Sequence, residues 1–235
     1  MLIMFGKLKS TATSSALVLT GATFLGVSAG LGAGVKALHQ LDKKVRDKWY
    51  QRYGRPKMNF KDGKLNSYYT IFAKYFDIPS ILGIMGAISS FMFYKKYYVV
   101  SLWVLGVVGS AGVVGFIQKN TIQRSRPFQH LVQDTGYSFP SGHAVASSVF
   151  FSLITLVLVP VIKSPIAQAV TLPAVLATWL SIIMSRFYLH AHFLTDVISG
   201  VAFGSFWVLL CTKVYKWLLH QDFPFMRIGK TFYMK

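Results

Sequence analysis

Ser185 to Asp196 read SRFYLHAHFLTD. This stretch begins where one apolar run of 22 uncharged residues, Ser164–Ser185, ends, and it is followed by a second run of 16, Val197–Thr212. An α-helix needs about 20 apolar residues to cross the hydrocarbon core of a bilayer. The stretch therefore reads as a polar turn between two transmembrane helices. An arginine, two histidines and an aspartate at such a boundary call for a chemical reason, because ionisable groups are costly at membrane depth unless they have a task.

Working outward, the other uncharged runs are Ser10–Val35 (26 residues), Ile78–Tyr94 (17), Tyr97–Gln118 (22) and Thr135–Ile162 (28). The two short runs end at Lys95 and Lys213, whose stems can snorkel to the interface. The pattern predicts an all-α, polytopic membrane protein with six transmembrane helices, forming one domain over residues 1–235. A composition of 53% hydrophobic and 14% charged residues agrees, being too apolar for an ordinary soluble domain. Lys7 and Lys9 before the first run resemble the start of a signal peptide, but the run is long for a cleavable apolar region and reads as an uncleaved helix. Cys211 is the only cysteine, which excludes an intrachain disulfide.

Glycines within the runs (Gly26, Gly30, Gly34; Gly106, Gly109, Gly112, Gly115; Gly200, Gly204) read as close-packing helix faces. Pro160, Pro165 and Pro173 flank or interrupt the fourth and fifth runs, where they end or kink helices. Between the first two runs lies a basic, aromatic segment, Lys36 to Phe76. Leu38, Leu41, Val45 and Trp49 recur near helical period, as do Leu65, Tyr68, Tyr69, Phe72 and Phe76, with YGRP and KDGK between the two sets. Two short amphipathic helices in the membrane interface are expected there.

With six spans, parity brings the third-to-fourth and fifth-to-sixth connections to one face. Every unusual polar cluster falls on that face: KNTIQRSRP (Lys119–Pro127), PSGH (Pro140–His143) and the stretch quoted first. Each alone has an ordinary explanation, as interfacial charge, a helix-capping turn or an idle interfacial histidine. Spacing separates the two histidines. On a helix, residues four apart lie about 40° apart around the axis, so His192 faces Asp196 while His190 does not. An aspartate accepting from one ring nitrogen fixes the tautomer and leaves the other nitrogen free as a base or nucleophile.

Three motifs then stand in order: Lys119, six residues, Arg126-Pro127; Pro140-Ser141-Gly142-His143; and Ser185-Arg186, five residues, His192, three residues, Asp196. This set resembles the three-part signature of the type 2 phosphatidic acid phosphatase family of membrane lipid phosphatases, with all signature positions present at the family's spacing. The resemblance implies that His192 attacks phosphorus to form a phosphohistidine, that Asp196 orients it, and that His143 protonates the leaving oxygen and then activates water. It implies that Lys119, Arg126 and Arg186, with Ser141 and the Gly142 backbone, cradle the phosphoryl oxygens. It also implies a substrate among undecaprenyl pyrophosphate, phosphatidylglycerol phosphate and phosphatidic acid, since the resemblance is to the small bacterial members that are phosphatidylglycerophosphatase B-like or undecaprenyl pyrophosphate phosphatase-like.

No metal or other cofactor is expected, because magnesium sites are built from carboxylates and only Asp134 and Asp196 lie near the motifs. The expected partners are a lipid phosphate and the bilayer. A net charge of +18 favours anionic partners, and nucleic acid is disfavoured because the cations sit between apolar spans rather than along one polar module. Orientation is contested: the motif face carries fifteen Lys and Arg against ten opposite, which by the positive-inside rule argues for a cytoplasmic site. Four of the fifteen belong to or adjoin the cradle and the long first connection translocates with less regard to charge, while the resemblance implies a site on the outer face of the cell membrane. Two rivals are a six-helix transporter or channel, which does not call for PSGH beside a paired His192 and Asp196, and a vanadium-dependent haloperoxidase, whose resemblance is to soluble proteins.

Overall fold

The fold was read from a computed structural model. It describes residues 2–55, 57–221 and 223–230, and the side chains of these except residues 2–11 and 161. The side chains of Lys7 and Lys9, together with Pro56, Asp222 and Lys235, thus lie outside the described residues. Among the described residues the regular structure is helical: α1 (Leu2–Gly32), α2 (Lys36–Tyr53), α3 (Lys64–Tyr75), α4 (Ile78–Tyr94), α5 (Tyr98–Ile122), α6 (Gly142–Leu153), α7 (Pro165–Tyr188) and α8 (Leu194–His220). A short 3₁₀ turn, Pro224–Arg227, follows α8.

Four helices are long and apolar enough to cross a membrane by themselves: α1 through Ala12–Gly32, α5, α7 and α8. The count rises to five if α3 and α4, which meet at a bend of 54°, form one broken span. The sequence predicts six, and the difference has two local causes. The fourth apolar run does not stay α-helical: α6 passes into a π-helical turn, Ile154–Leu158, and a 3₁₀ turn, Val159–Val161, around Pro160, whose ring nitrogen has no proton for the helix ladder. Its helical stretch Gly142–Leu158 is apolar but short. The second run yields only the 17 residues of α4, with Asp77 as N-cap accepting from Ser80 N at 2.9 Å.

α6 is the centre of the molecule. Ala144, Val145, Ser147, Ser148, Val149, Phe150, Phe151 and Leu153 are all buried, so almost every face of this short helix meets another helix. Its tightest neighbour is α8. A Cβ at Gly200 would stand 2.8 Å from Ser141 O, and one at Gly204 would stand 2.8 Å from Val145 O. These two glycines are a close-packing face, as expected. At Gly106, Gly109, Gly112 and Gly115 of α5, by contrast, a Cβ would meet nothing within 4 Å. Those glycines leave space rather than close it. The outer helices carry exposed apolar side chains such as Val18, Leu102, Phe116, Ile166 and Val170, as expected of a surface facing lipid.

Helices α2 and α3 occupy the basic, aromatic segment. On α2 the inward face is Leu38, Asp42, Val45 and Trp49, while Leu41 is exposed. On α3 the buried residues are Asn66, Thr70 and Ala73, with Leu65 and Tyr68 exposed, so the aromatic stripe faces inward only in part. Its tyrosines instead reach α7: Tyr68 Oη lies 2.5 Å from Ser181 Oγ, and Tyr69 stacks on Tyr188 with ring centroids 4.7 Å apart.

Candidate active site

The three motifs converge at one end of α5, α6, α7 and α8. Lys119 lies in the last turn of α5, and Arg126 follows in the connection to α6. Ser141 caps α6, accepting from Ala144 N at 3.4 Å, so Gly142 and His143 begin the helix. The first N–H groups of a helix have no partner within it, and a positive dipole end favours an anion there. Arg186 belongs to the last turn of α7.

Two imidazoles stand among these cations. Arg126 Nη1 lies 3.4 Å from His192 Nε2 and donates to Ala191 O at 2.8 Å, while its other nitrogens reach Thr135 O and Gly136 O. Arg186 Nη1 lies 3.4 Å from both ring nitrogens of His143. Lys119 Nζ donates to Tyr137 O at 2.5 Å, beside Ser138, which is the residue that orients His192. A set of three cations and a helix N-terminus around two imidazoles can hold a dianion against a ring nitrogen.

His192 and Asp196 do not share a helix. The chain turns at residues 189–193, α8 begins only at Leu194 with Phe193 as N-cap, and His192 stands in the turn before it. The two side chains still approach, because Phe193 N donates to Asp196 Oδ2 at 2.9 Å and curls the turn back over the helix start. The ring nitrogen Nδ1 is 3.9 Å from Asp196 Oδ2, too far for a hydrogen bond, and 2.9 Å from the carbonyl oxygen of Ser138. A carbonyl only accepts, so Nδ1 carries the proton and Nε2 presents its lone pair towards Arg126. Asp196 acts at one remove: its Oδ2 accepts from Ser138 Oγ, and its charge lies 3.9 Å from the ring nitrogen. Burial pushes the His192 imidazole below its ordinary pKa, with Asp196 opposing. Burial likewise lowers Arg126, opposed by Asp134 and Asp196.

His190 points elsewhere. Its backbone is left-handed, with φ 52°, and its ring meets Tyr50 of α2 edge-on at 5.7 Å. Its pKa is lowered chiefly by burial.

Four contributors were not singled out by sequence: Arg124, Asp42, Thr195 and Ser138. Arg124 Nη1 donates to Asp196 Oδ1 at 2.6 Å and to Thr195 Oγ1 at 2.7 Å, and its Nη2 donates to Asp42 Oδ2 at 2.6 Å. A signal for Asp42 existed, since it falls on the inward stripe of α2 with Leu38, Val45 and Trp49. A charge on an apolar face needs a buried partner. Ser138 carried none, because it acts through its carbonyl and hydroxyl from an irregular connection.

From the cation cluster an apolar cleft of about 240 Å³ runs between α4, α5 and α6. Lys119, Pro140 and Gly142 form its polar end; Ile81, Met85, Ala111, Gly112, Gly115, Val145 and Val149 line the rest. Among the described residues no three His, Cys, Asp or Glu side chains group as a metal site would require.

A profile of the PAP2 superfamily matches residues 100–219. The chain is 34% identical over 136 residues to phosphatidylglycerophosphatase B of Bacillus subtilis (strain 168), covering 56% of this chain and 64% of that protein. It is 37% identical over 78 residues to lipid A 1-phosphatase of Rhizobium etli, covering 33% of this chain and 29% of that protein. The alignments thus span less than two thirds of either relative. In three dimensions it is similar to the crystal structure of a transmembrane PAP2-type phosphatidylglycerolphosphate phosphatase from Bacillus subtilis, with a TM-score of 0.67, 22% identity, and coverage of 89% of this chain and 98% of that one.

Proposed function

The chain belongs to the PAP2 superfamily, and from that premise we propose that it is a multi-pass membrane phosphatase that removes phosphate from lipid phosphate monoesters or pyrophosphates. The observation that carries this reading is the pairing of Arg126 with the Nε2 edge of His192, opposite an Nδ1 committed to the Ser138 carbonyl.

In this reading His192 Nε2 attacks phosphorus, a P–N bond forms, and the P–O bond to the lipid breaks. His143 gives a proton to the departing oxygen. His143 then takes a proton from water as that water attacks the phosphohistidine. The P–N bond breaks, and inorganic phosphate leaves with His192 restored. Lys119, Arg126 and Arg186, with the Gly142 backbone, balance charge on the non-reacting oxygens through both steps. Ser141 acts through the turn it caps. Asp196 offsets the positive charge that develops on the His192 ring. The protein's own cations supply the electrostatic stabilisation, so turnover needs no divalent ion.

The cleft between α4, α5 and α6 supports a lipid substrate, because an apolar groove with Lys119 and the Gly142 turn at one end matches a tail with a charged head. The names of the relatives support phosphatidylglycerol phosphate as the first candidate head group; undecaprenyl pyrophosphate and phosphatidic acid complete the panel. The α3–α4 bent pair and the α6 segment add to the four long helices to make six crossings, α2 rests in the interface, and the site opens on the outer face of the cell membrane. The test is phosphate release by detergent-purified protein from these three lipids, with and without chelator. Release from none, or release only after magnesium is restored, overturns the reading or its metal-independent form respectively.

A further inference from the structure

Helix α2 joins two spans and carries mostly exposed Lys and Arg, yet Asp42 in its middle is 1% exposed. A carboxylate is buried this fully only when every oxygen is committed. Its Oδ2 accepts from Arg124 Nη2 at 2.6 Å and from Thr195 Oγ1 at 2.6 Å; its Oδ1 accepts from Thr195 N at 2.9 Å. Asp42 therefore caps the first turn of α8 from a helix far away in sequence. It does so at the turn that holds Asp196.

Arg124 is the link. One arm of its fork goes to Asp42 and the other to Asp196 and Thr195, while its central carbon lies 4.2 Å above the Phe193 ring. A guanidinium held only by Asp196 could pivot about that contact. With Asp42 on the second arm the planar fork is fixed in two places. The cluster of one cation and two carboxylates also keeps a net negative charge beside His192, whose Nδ1 is 3.9 Å from Asp196 Oδ2. The other charged or titratable groups around His192 are Lys119 at the end of α5, Arg126 from the connection after it, Arg186 from α7, His143 from α6 and, in the same turn, His190; Arg46 of α2 is paired with Asp47.

We propose that Asp42 is a positioning residue for the phosphatase reaction: through Arg124 it fixes Asp196 beside His192, and so couples the seating of α2 to formation of the phosphohistidine. The proposal rests on the reading of His192 as nucleophile. Asp42 touches neither the substrate nor the reacting ring, so its removal acts on kcat rather than on the binding of the head group.

The experiment measures kcat, KM and the pH dependence of kcat for phosphate release from phosphatidylglycerol phosphate by the full-length protein. The variants are Asp42→Asn, Arg124→Lys, Arg124→Gln and the double variant Asp42→Asn/Arg124→Gln, each normalised to folded, monodisperse protein. Asp42→Asn is expected to lower kcat by about 10- to 100-fold, as for other outer-shell partners of a working histidine, with KM within about twofold. It also removes negative charge from the cluster, so protonated His192 is disfavoured and the acid limb of kcat moves to lower pH. The double variant falls by clearly less than the product of the two single losses, because both act on one fork, with only the direct Asp42–Thr195 bonds outside it. Should Asp42→Asn fail to fold, Arg124→Lys keeps the charge but loses the fork, and the same loss of kcat is expected of it. Wild-type kcat and pH dependence in any of the three single variants, per folded molecule, or additive losses in the double, overturn the positioning role alone. A wild type that releases no phosphate overturns the phosphatase reading and this proposal with it.

Discussion

The Nδ1 of His192 is 2.9 Å from the carbonyl oxygen of Ser138, and this contact sets the tautomer of the ring. Asp196 lies 3.9 Å away and supplies charge. The division of labour predicts different phenotypes. His192→Ala is expected to lose essentially all turnover, since no neighbour can form the covalent intermediate, and His143→Ala to lose about 10²- to 10⁴-fold. Asp196→Asn leaves the Ser138 contact in place but breaks a buried ion pair with Arg124, so it is expected to lower both activity and stability, the latter by about 3–5 kcal/mol. His190→Ala retains most activity, because its ring faces Tyr50. Initial rates on one lipid phosphate, with thermal unfolding for each variant, check all four; a dead His190→Ala beside a working His192→Ala overturns the assignment.

The lowered pKa of His192 gives a pH dependence with a definite sign. Burial disfavours the imidazolium, so the neutral form, the one proposed to attack, persists below the ordinary histidine value near 6.5. Substrate protonation contributes its own limb, which is identified by repeating the profile on a phosphonate-matched inhibitor. After that correction, the acid limb of kcat/KM attributable to the enzyme is expected below pH 6.5. The same shift contributes to folding: a histidine kept neutral in the fold stabilises it above its unfolded pKa, and that contribution is lost as pH falls through the folded value. Thermal unfolding between pH 7.5 and 5 should show the decline, and its slope should flatten in a His192→Gln variant.

Much of this was legible in the sequence, and the exceptions have physical causes. Motif spacing located Lys119, Arg126, His143, Arg186 and His192 because each motif is local, and α-helix ends bring local motifs together. The 3.6-residue period chose His192 over His190, although the turn at residues 189–193 is not helical; the choice rests instead on the left-handed backbone of His190 and the Phe193–Asp196 hydrogen bond. The network of Asp42, Arg124 and Thr195 joins three distant segments through side chains, and no local period encodes that. Six uncharged runs do not appear as six long helices, because uncharged length does not reveal a change of helix type around Pro160.

Close approach of α6 and α8 predicts a steep cost for one methyl group. A Cβ at Gly200 would lie 2.8 Å from Ser141 O and 2.9 Å from Ala144 Cβ, both on a short buried helix with little freedom to retreat. Gly200→Ala is expected to cost about 1–3 kcal/mol and to displace the Ser141-Gly142-His143 turn, lowering kcat as well as the unfolding temperature. Gly26→Ala is the control, since a Cβ there meets nothing within 4 Å. Equal stability of the two variants counts against the packing argument.

Sidedness is checked at Val132, which is 90% exposed in the connection between α5 and α6. After replacement of Cys211 by alanine, a cysteine introduced by Val132→Cys is expected to react with an impermeant thiol reagent in intact cells. Labelling only after permeabilisation, in a protein that still releases phosphate, would turn the molecule over in the membrane.

The open glycines of α5 make the last case. Gly112 and Gly115 line the cleft that leads away from Lys119 and Gly142, and a Cβ at either would meet nothing within 4 Å. An added Cβ therefore meets no neighbour, and a longer side chain built on it projects into space that the reading gives to a lipid tail. Gly115→Leu is expected to lower kcat/KM for a long-chain lipid phosphate by about 10-fold or more, the scale on which an apolar pocket discriminates when it can no longer admit a methylene group of its substrate. Hydrolysis of a short-chain, water-soluble analogue of the same head group should stay within about twofold, since the cations and both imidazoles are untouched. The ratio of the two specificity constants isolates the cleft from the chemistry. Equal losses on both substrates would mean that the side chain disturbs the cradle, and unchanged rates on both would mean that the tail travels by another path.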